Sequence, residues 1–151
     1  MKIPTLIPIN REEDYHTHYL GTFAGDMQFW AYETFVHDQP VGSYPHEDWQ
    51  KHRKEYLLMH TFDAEGNHLN TQHWYAGTTA ECDNNLMEQK LEEMVSELGD
   101  IEFGNIIVKL FDIKIDGITF GLIPDENLEY VNLQPSSTIS FMEPWDGEYY
   151  T

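Results

Sequence analysis

The sequence predicts a single α+β domain, in which a mostly antiparallel sheet of about six to eight strands carries one long amphipathic helix packed on one face. Three observations lead to this prediction. Short aromatic and β-branched runs recur between turn-forming residues, which is typical of hairpins. Apolar residues between Asp83 and Leu98 are spaced as in a helix. The 151 residues suffice for one core and contain no linker-like tract, so we expect one domain over residues 1–151.

Three hairpins are predicted from paired runs with turn residues between them. They join residues 19–24 to 27–36, 49–62 to 68–76, and 105–115 to 118–123. The run at 49–62 opens with charged residues, so we expect a helical turn near residues 48–54. The run at 105–115 is apolar on both faces, which predicts a central strand. Two further short strands are expected at residues 130–133 and 138–142.

The helix is predicted from an apolar stripe that Asp83 or Asn84 can cap and that Gly99 can end. The stripe consists of Met87, Leu91, Met94, Val95 and Leu98. The opposite face carries Glu88, Glu92, Glu93 and Glu97. We favour a solvated face for these carboxylates over a dedicated docking surface.

The charge balance argues against direct nucleic-acid binding. The chain has 27 acidic and 8 basic residues and a formal net charge of -19, which repels phosphate backbones. No Lys or Arg follows Lys114, and the last 37 residues carry seven carboxylates. This asymmetry would steer a basic protein partner toward the acidic side. The alternative, that the acidic surface only keeps the protein in solution, stays open.

The cysteine count and the first residues favour a cytoplasmic location. The one cysteine, Cys82, has no partner for an internal disulfide, and the start of the sequence lacks the apolar stretch of a secretory signal. No apolar run approaches the ~18 residues that span a bilayer, so no membrane insertion is expected. The sequence leaves the oligomeric state open.

Two groups of histidines are candidate metal ligands, because imidazole is the usual neutral nitrogen ligand. Asp14, His16 and His18 alternate and would point to one side of an extended segment. In the second hairpin, a pairing of Asp63 with His68 would place His60 opposite Thr71 and diagonal to His73. We favour ordinary strand histidines in both places, since no established metal motif is present.

No catalytic motif is found in the sequence. There is no phosphate-binding glycine loop and no nucleophile elbow. Cys82 precedes the predicted helix, whose dipole can stabilise a thiolate, but no base is identifiable near it, so we expect an inert thiol. No cofactor is predicted.

The C-terminal tail, residues 143–151, places three aromatic residues beside three acids. Trp145, Tyr149 and Tyr150 are candidates for partner binding, because Trp and Tyr frequently anchor interfaces. They are also commonly folded back onto their own core, and we favour that alternative.

Four segments of the chain resemble a family of small bacterial proteins labelled formate hydrogenlyase regulatory protein-like. The segments are REEDYHTHYLG (residues 11–21), HTFDAEGNHL (60–69), WYAGTTA (74–80) and EPWDGEYYT (143–151). They are spread over nearly the full length. The resemblance implies a regulator of an enzyme complex, and it assigns no catalytic or metal-binding residue.

Three hypotheses about function follow from these observations. The first is a non-enzymatic protein-binding module, a regulator or an immunity-like inhibitor, for a basic partner. The second is a small metal-binding or ligand-binding protein, with or without enzymatic activity, that uses His and Asp side chains. The third is a structural or stress protein without a dedicated ligand. The missing catalytic set and the asymmetric charge favour the first.

Overall fold

The computed structural model describes residues 3–13, 16–125, 127, 129–135 and 139–151. The fold is α+β, with antiparallel strands in three sheets of five, four and two strands and with two helices, one of 13 residues. The strands are β1 (Ile7–Ile9), β2 (Tyr19–Phe23), β3 (Met27–His37), β4 (Arg53–Phe62), β5 (His68–Thr78), β6 (Ile101–Phe103), β7 (Ile106–Val108), β8 (Phe111–Ile115), β9 (Ile118–Pro124), β10 (Tyr130–Gln134) and β11 (Ser140–Met142). The helices are α1 (Trp49–His52) and α2 (Asn84–Ser96), and a 3-10 turn, His46–Asp48, precedes α1.

The largest sheet has the order β5-β4-β3-β2-β6, and it is covered on both faces. The four-stranded sheet has the order β11-β10-β9-β8, and β1 pairs with β7 in the smallest sheet. The side chains of β3 and β4 alternate between two separate buried clusters. Strands buried on both faces need apolar residues at consecutive positions, and this explains the bulk on both sides of β3.

One buried cluster joins α2 to the large sheet. Its members are Phe29, Ala31, Leu57 and Met59 of β3 and β4 and Met87, Leu91, Met94 and Val95 of α2. The helix begins where predicted, because the Asp83 carboxylate accepts the N–H groups of Asn85 and Leu86 at 3.0 and 3.2 Å. Neither helix among the described residues is long and apolar enough to cross a membrane.

The other cluster fills the space between the large sheet and the two smaller sheets. Trp30, Tyr32, Leu58 and Phe62 contribute from the large sheet, and Phe120, Leu122, Val131 and Phe141 contribute from the four-stranded sheet. The molecule therefore has the layers helix, five-stranded sheet and four-stranded sheet.

The predicted hairpins are confirmed. β2 pairs with β3, β4 with β5, and β8 with β9, all antiparallel. Asp116 and Gly117 both have positive φ, 54° and 79°, as a two-residue type I′ turn requires. The short helix α1 before β4 agrees with the helical turn expected near residues 48–54.

The predicted central strand at residues 105–115 is wrong. The segment breaks at Lys109-Leu110, so that β7 pairs with β1 while β8 is an edge strand of the four-stranded sheet. The cause is a redirection of backbone hydrogen bonds. The Gln28 side chain accepts the N–H of Ile107 at 2.8 Å and donates to its carbonyl at 3.0 Å, and Lys109 donates its N–H to Gly66.

The predicted number of strands, six to eight, is too low, since the described residues contain eleven. Two of the additional strands, β1 and β6, have three residues each, and the third arises because the run at 105–115 is divided into β7 and β8. An alternation of apolar and polar residues cannot be recognised over so short a run. These strands form because the folded chain places another strand beside each of them, which supplies the partners for their backbone hydrogen bonds.

The C-terminal tail is held against the N-terminal segment. The Asn10 side chain donates to the Asp146 carbonyl, and the Asn10 N–H donates to the Gly147 carbonyl, each at 3.0 Å. Tyr150 exchanges two backbone hydrogen bonds of 2.8 Å with Ser140. Gly147 has a φ of 93°, and a β-carbon at this position would collide with the Asn10 side chain.

We expect Gly147→Ala to destabilise the fold by about 2 to 4 kcal/mol, through left-handed backbone strain and the loss of the Asn10 contacts. Urea unfolding measures this change. Gly25→Ala is the matched control, because Gly25 has the same φ of 93° and open space around it. The control measures the backbone strain alone, which we expect to cost about 1 kcal/mol of stability. Equal losses in the two variants would contradict a structural role for the Asn10 contact.

Candidate functional site

The cleft between α2 and the adjoining part of the large sheet is the candidate functional site. Its volume is about 440 Å³. The described residues that line it are Glu13, His18, Tyr19, Glu33, Asn84, Glu88 and Leu91. Three of them are carboxylates and none is Lys or Arg. The cleft is therefore acidic in its own lining, not only by the charge of the whole chain.

Glu33 is placed in the cleft by the strand period of β3. Phe29 and Ala31 face α2, and Glu33 is the next residue on that face. Burial raises the pKa of the Glu33 carboxyl, and the carboxylates of Glu55 and Glu88 raise it further. The negative charges here oppose one another, and no cation among the lining residues offsets them.

The helical wall of the cleft carries Glu88, with Leu91 below it on the buried stripe. The Tyr19 hydroxyl donates to the Glu92 carboxylate at 3.4 Å from the sheet side. Burial raises the pKa of Tyr19, and the Glu92 carboxylate adds to this effect. Tyr19 stays a neutral hydrogen-bond donor that ties the helix to β2.

Arg11 lies at the rim of the cleft, where its guanidinium is 3.4 Å from Nδ1 of the lining residue His18. Its Nε donates to the His18 carbonyl at 2.8 Å, and its guanidinium stacks over the Phe103 ring at 4.3 Å. The His18 ring packs edge-on to Tyr19 and beside Phe103. Arg11 thus organises the rim through Phe103 and His18 without lining the cleft.

A second polar arrangement lies inside the molecule, on the opposite face of the large sheet. His60 is fully buried, and its Nε2 is 2.8 Å from the Tyr32 hydroxyl. Its Nδ1 is 2.7 Å from the Thr71 hydroxyl, which also lies 2.7 Å from Nε2 of His68. The His68 ring stacks on Phe111, with centroids 4.9 Å apart. These four polar side chains form one hydrogen-bonded chain from the core to the half-buried His68.

The burial of His60 determines its protonation. Burial, with a smaller contribution from His68, lowers the pKa of His60 to about 3, so the ring is neutral. Within the described residues, His60 Nε2 is the acceptor in reach of the buried Tyr32 hydroxyl. We therefore assign the proton of His60 to Nδ1, which donates to Thr71, and the Thr71 hydroxyl donates to His68. Each of the three hydrogen bonds in this chain then has one donor and one acceptor.

The first group of predicted metal ligands is not an extended segment in the part that the structure describes. His16 lies in a turn and packs edge-on against Tyr149 at 5.8 Å, whereas His18 packs beside Phe103 at the cleft. The alternation predicted for a strand is absent, because β2 begins only at Tyr19. Asp14 lies outside the described residues.

The second group is brought together in part. The pairing of His60 with Thr71 is confirmed, although Phe62 and not Asp63 pairs with His68. A register shift between Phe62 and Thr61 passes over Leu69, so that Thr61 pairs with Asn70 and His60 pairs with Thr71 as predicted. The residue that approaches His60 is His68, at 5.9 Å between ring centroids, while His73 is exposed on β5. No cluster of three or more His, Cys, Asp or Glu side chains within the described ranges could hold a metal ion, and metal binding stays a prediction.

The predicted partner-binding residues of the tail lie in different environments. Trp145 and Tyr149 are partly buried against the main core, whereas Tyr150 is 41% exposed. The packing of Trp145 and Tyr149 supports the structural alternative for these two residues. A partner-binding role for the tail stays a prediction.

Cys82 does not have the environment of a reactive thiol. Burial raises the pKa of the Cys82 thiol, and the Glu55 carboxylate raises it further. The thiol contacts the Thr79 carbonyl at 3.5 Å.

The cleft could not be predicted from the sequence, because its residues come from three separate segments. One signal was present in the sequence, since Glu33 interrupts an otherwise apolar face of β3. A carboxylate at such a position must meet solvent, a partner or a cleft. The glutamates of α2 are exposed, as expected. Two of them also have a place at the cleft, because Glu88 lines it and Glu92 accepts a hydrogen bond from the lining residue Tyr19.

Comparison with protein-family models, with curated proteins and with solved structures finds no match to this chain. The resemblance to the formate hydrogenlyase regulatory protein-like family therefore stays a prediction.

We expect stability to fall on acidification in part because of His60. The folded state keeps this ring neutral down to a pH of about 3, whereas the unfolded chain binds its proton near 6.5. The stabilisation is complete above pH 6.5 and is lost as the pH falls toward 3. Between pH 7.5 and 5 the loss is about 2 kcal/mol.

Urea unfolding of the wild type and of His60→Gln at both pH values measures this contribution. The variant loses less stability on acidification, and His46→Gln, at an exposed position, behaves as the wild type. In the wild type, the imidazole proton signals of His60 stay constant from pH 8 to about 4. A His60 titration near pH 6.5 in the folded protein would contradict this assignment.

Proposed function

We propose that the protein is a non-enzymatic binding module that receives a basic side chain of a partner protein in the cleft between α2 and the large sheet. The observation that carries this proposal is the set of carboxylates in the cleft, Glu13, Glu33 and Glu88, with no Lys or Arg in the described lining. A Lys or Arg side chain supplies the charge that this set lacks.

The electrostatics of Glu33 support a cationic occupant. The pKa of the Glu33 carboxyl is raised by burial and by two neighbouring carboxylates, so its ionised form is less favourable than that of an exposed glutamate. A bound cation lowers that pKa and is itself attracted by every carboxylate around it. The attraction is stronger here than on open surface, because the cleft is partly shielded from water.

The walls of the cleft fit the two parts of a basic side chain. Leu91 and the Tyr19 ring give apolar surface for the aliphatic stem of Lys or Arg. Glu33 and Glu88 give acceptors for its charged end, and a guanidinium can bond two carboxylates at once. The cleft is large enough for a side chain and too small for a folded segment.

The long-range field supports the same class of partner. The net charge of -19 attracts a basic protein before contact, and the absence of Lys and Arg after Lys114 leaves part of the chain without positive charge. Association with such a partner weakens as salt is added. A role as regulator or immunity-like inhibitor of the partner belongs to this proposal.

Acetylated tetra-arginine is the probe that tests the cleft, with binding followed by NMR titration of the isotope-labelled protein. We expect the largest shifts at residues around Glu33 and Glu88. The double substitution Glu33→Gln and Glu88→Gln weakens binding by at least about tenfold, since it removes two close charge contacts.

The matched control is the double substitution Glu65→Gln and Asp112→Asn, which removes the same charge at exposed positions away from the cleft. It changes the affinity by less than about twofold, because exposed, distant charges are screened. Equal loss of affinity in the two double variants would show that peptide binding depends only on the net charge of the protein. The cleft would then have no binding role.

A further inference from the structure

The outer edge of the five-stranded sheet is formed by β5, the strand His68–Thr78. β5 has 11 residues and pairs with β4 on one side. No strand pairs with its other side among the residues that the structure describes. Alternate backbone N–H and C=O groups in the middle of β5 are available on this side to a further strand, whereas the N–H of Thr78 at its end donates to the Glu81 carboxylate at 3.4 Å.

The other sheet edges are protected against such pairing. β6, β7 and β11 have three residues each, and β1, of the same length, contains Pro8. β8 has five residues and carries Asp112 and Lys114. Short length, charge and proline are the usual means by which proteins prevent edge pairing.

β5 has none of these features. Its sequence, HLNTQHWYAGT, contains no Asp, Glu, Lys, Arg or Pro, in a chain with 27 acidic and 8 basic residues. The two register shifts between β5 and β4 lie near the ends of β5. Residues 70–75 between them pair with β4 without a bulge. Tyr75, 44% exposed, ends this regular segment, and Leu69, 51% exposed, lies just before it at the register shift.

The hydrogen-bond pattern identifies the outward backbone groups. Thr79 donates its N–H to the Arg53 carbonyl, so the odd-numbered residues of β4 point toward β5. In the regular segment these residues, Leu57 and Met59, pair with Trp74 and Gln72. The intervening residues of β5, which are Thr71, His73 and Tyr75, therefore turn their N–H and C=O groups outward.

We propose that two copies of the chain associate through this edge, β5 against β5, with antiparallel pairing centred on His73. The two-fold axis then places Thr71 of one copy opposite Tyr75 of the other and His73 opposite His73. All three residues present outward backbone groups, so the pairing is self-complementary. Two five-stranded sheets become one continuous sheet of ten strands.

The charge distribution favours a second copy over a basic peptide as the occupant. Two chains of net charge -19 repel each other, and they can approach closely only where neither carries charge. The segment of β5 centred on His73 has no charged side chain of its own, and the Glu81 carboxylate lies at the end of the strand, bonded to Thr78. A basic peptide gains less from this strand, which has no acidic side chain, than from the cleft on the α2 side of the sheet, which has three.

Sedimentation velocity of the full chain, from micromolar to hundreds of micromolar concentration, tests this proposal. We expect a species of twice the 17.7 kDa chain mass at high concentration. Added salt strengthens the association, because it screens the repulsion between two acidic chains. This salt effect is opposite in sign to that expected for basic-peptide binding in the cleft, so the two proposals can fail separately.

The variant His73→Lys places two like charges opposite each other at the axis, and it weakens association by at least about tenfold. The matched control is His46→Lys, which makes the same charge change at an exposed position in the turn before α1 and leaves association unchanged. Amide hydrogen exchange at Thr71, His73 and Tyr75 slows as concentration rises. A monomer at every concentration, or a dimer equally stable in the two lysine variants, would overturn the proposal.

Discussion

The burial of the five-stranded sheet on both faces is the constraint on which the rest of the structure depends. β3 and β4 supply apolar side chains to α2 on one face and to the four-stranded sheet on the other. An ionisable side chain in the buried part of either strand then needs a hydrogen-bond partner or a place at a margin of the sheet. His60 satisfies the first condition through Tyr32 and Thr71, and Glu33 satisfies the second in the cleft beside α2.

The parts of the fold that follow from local chemistry could be predicted from the sequence. The type I′ turn at Asp116-Gly117 depends on two residues that tolerate positive φ, and the start of α2 depends on the Asp83 cap. The parts that depend on distant contacts could not. Nothing local to residues 105–115 shows that Gln28 takes the hydrogen bonds of Ile107 and splits the expected strand in two.

The candidate site was predictable only in fragments. The acidic character of the chain, the glutamates of α2 and the pairing of His60 with Thr71 were all derived from the sequence. The cleft itself could not be predicted, because it depends on the approach of Glu33 and Glu88 in space. These two residues lie on different elements and are far apart along the chain. The proximity of His60 and His68 required a bulge in β5, and a shift of one residue decides which histidine approaches.

The arrangement of the layers also has a consequence for synthesis on the ribosome. β3 and β4 are translated well before β8–β11, the strands that cover their aromatic face. Trp30 and Phe62 therefore leave the exit tunnel without their final partners, and the bond of the Asn10 side chain to Asp146 joins residues 136 positions apart. During this interval the nascent chain presents an open apolar face, which is the kind of surface that general chaperones bind.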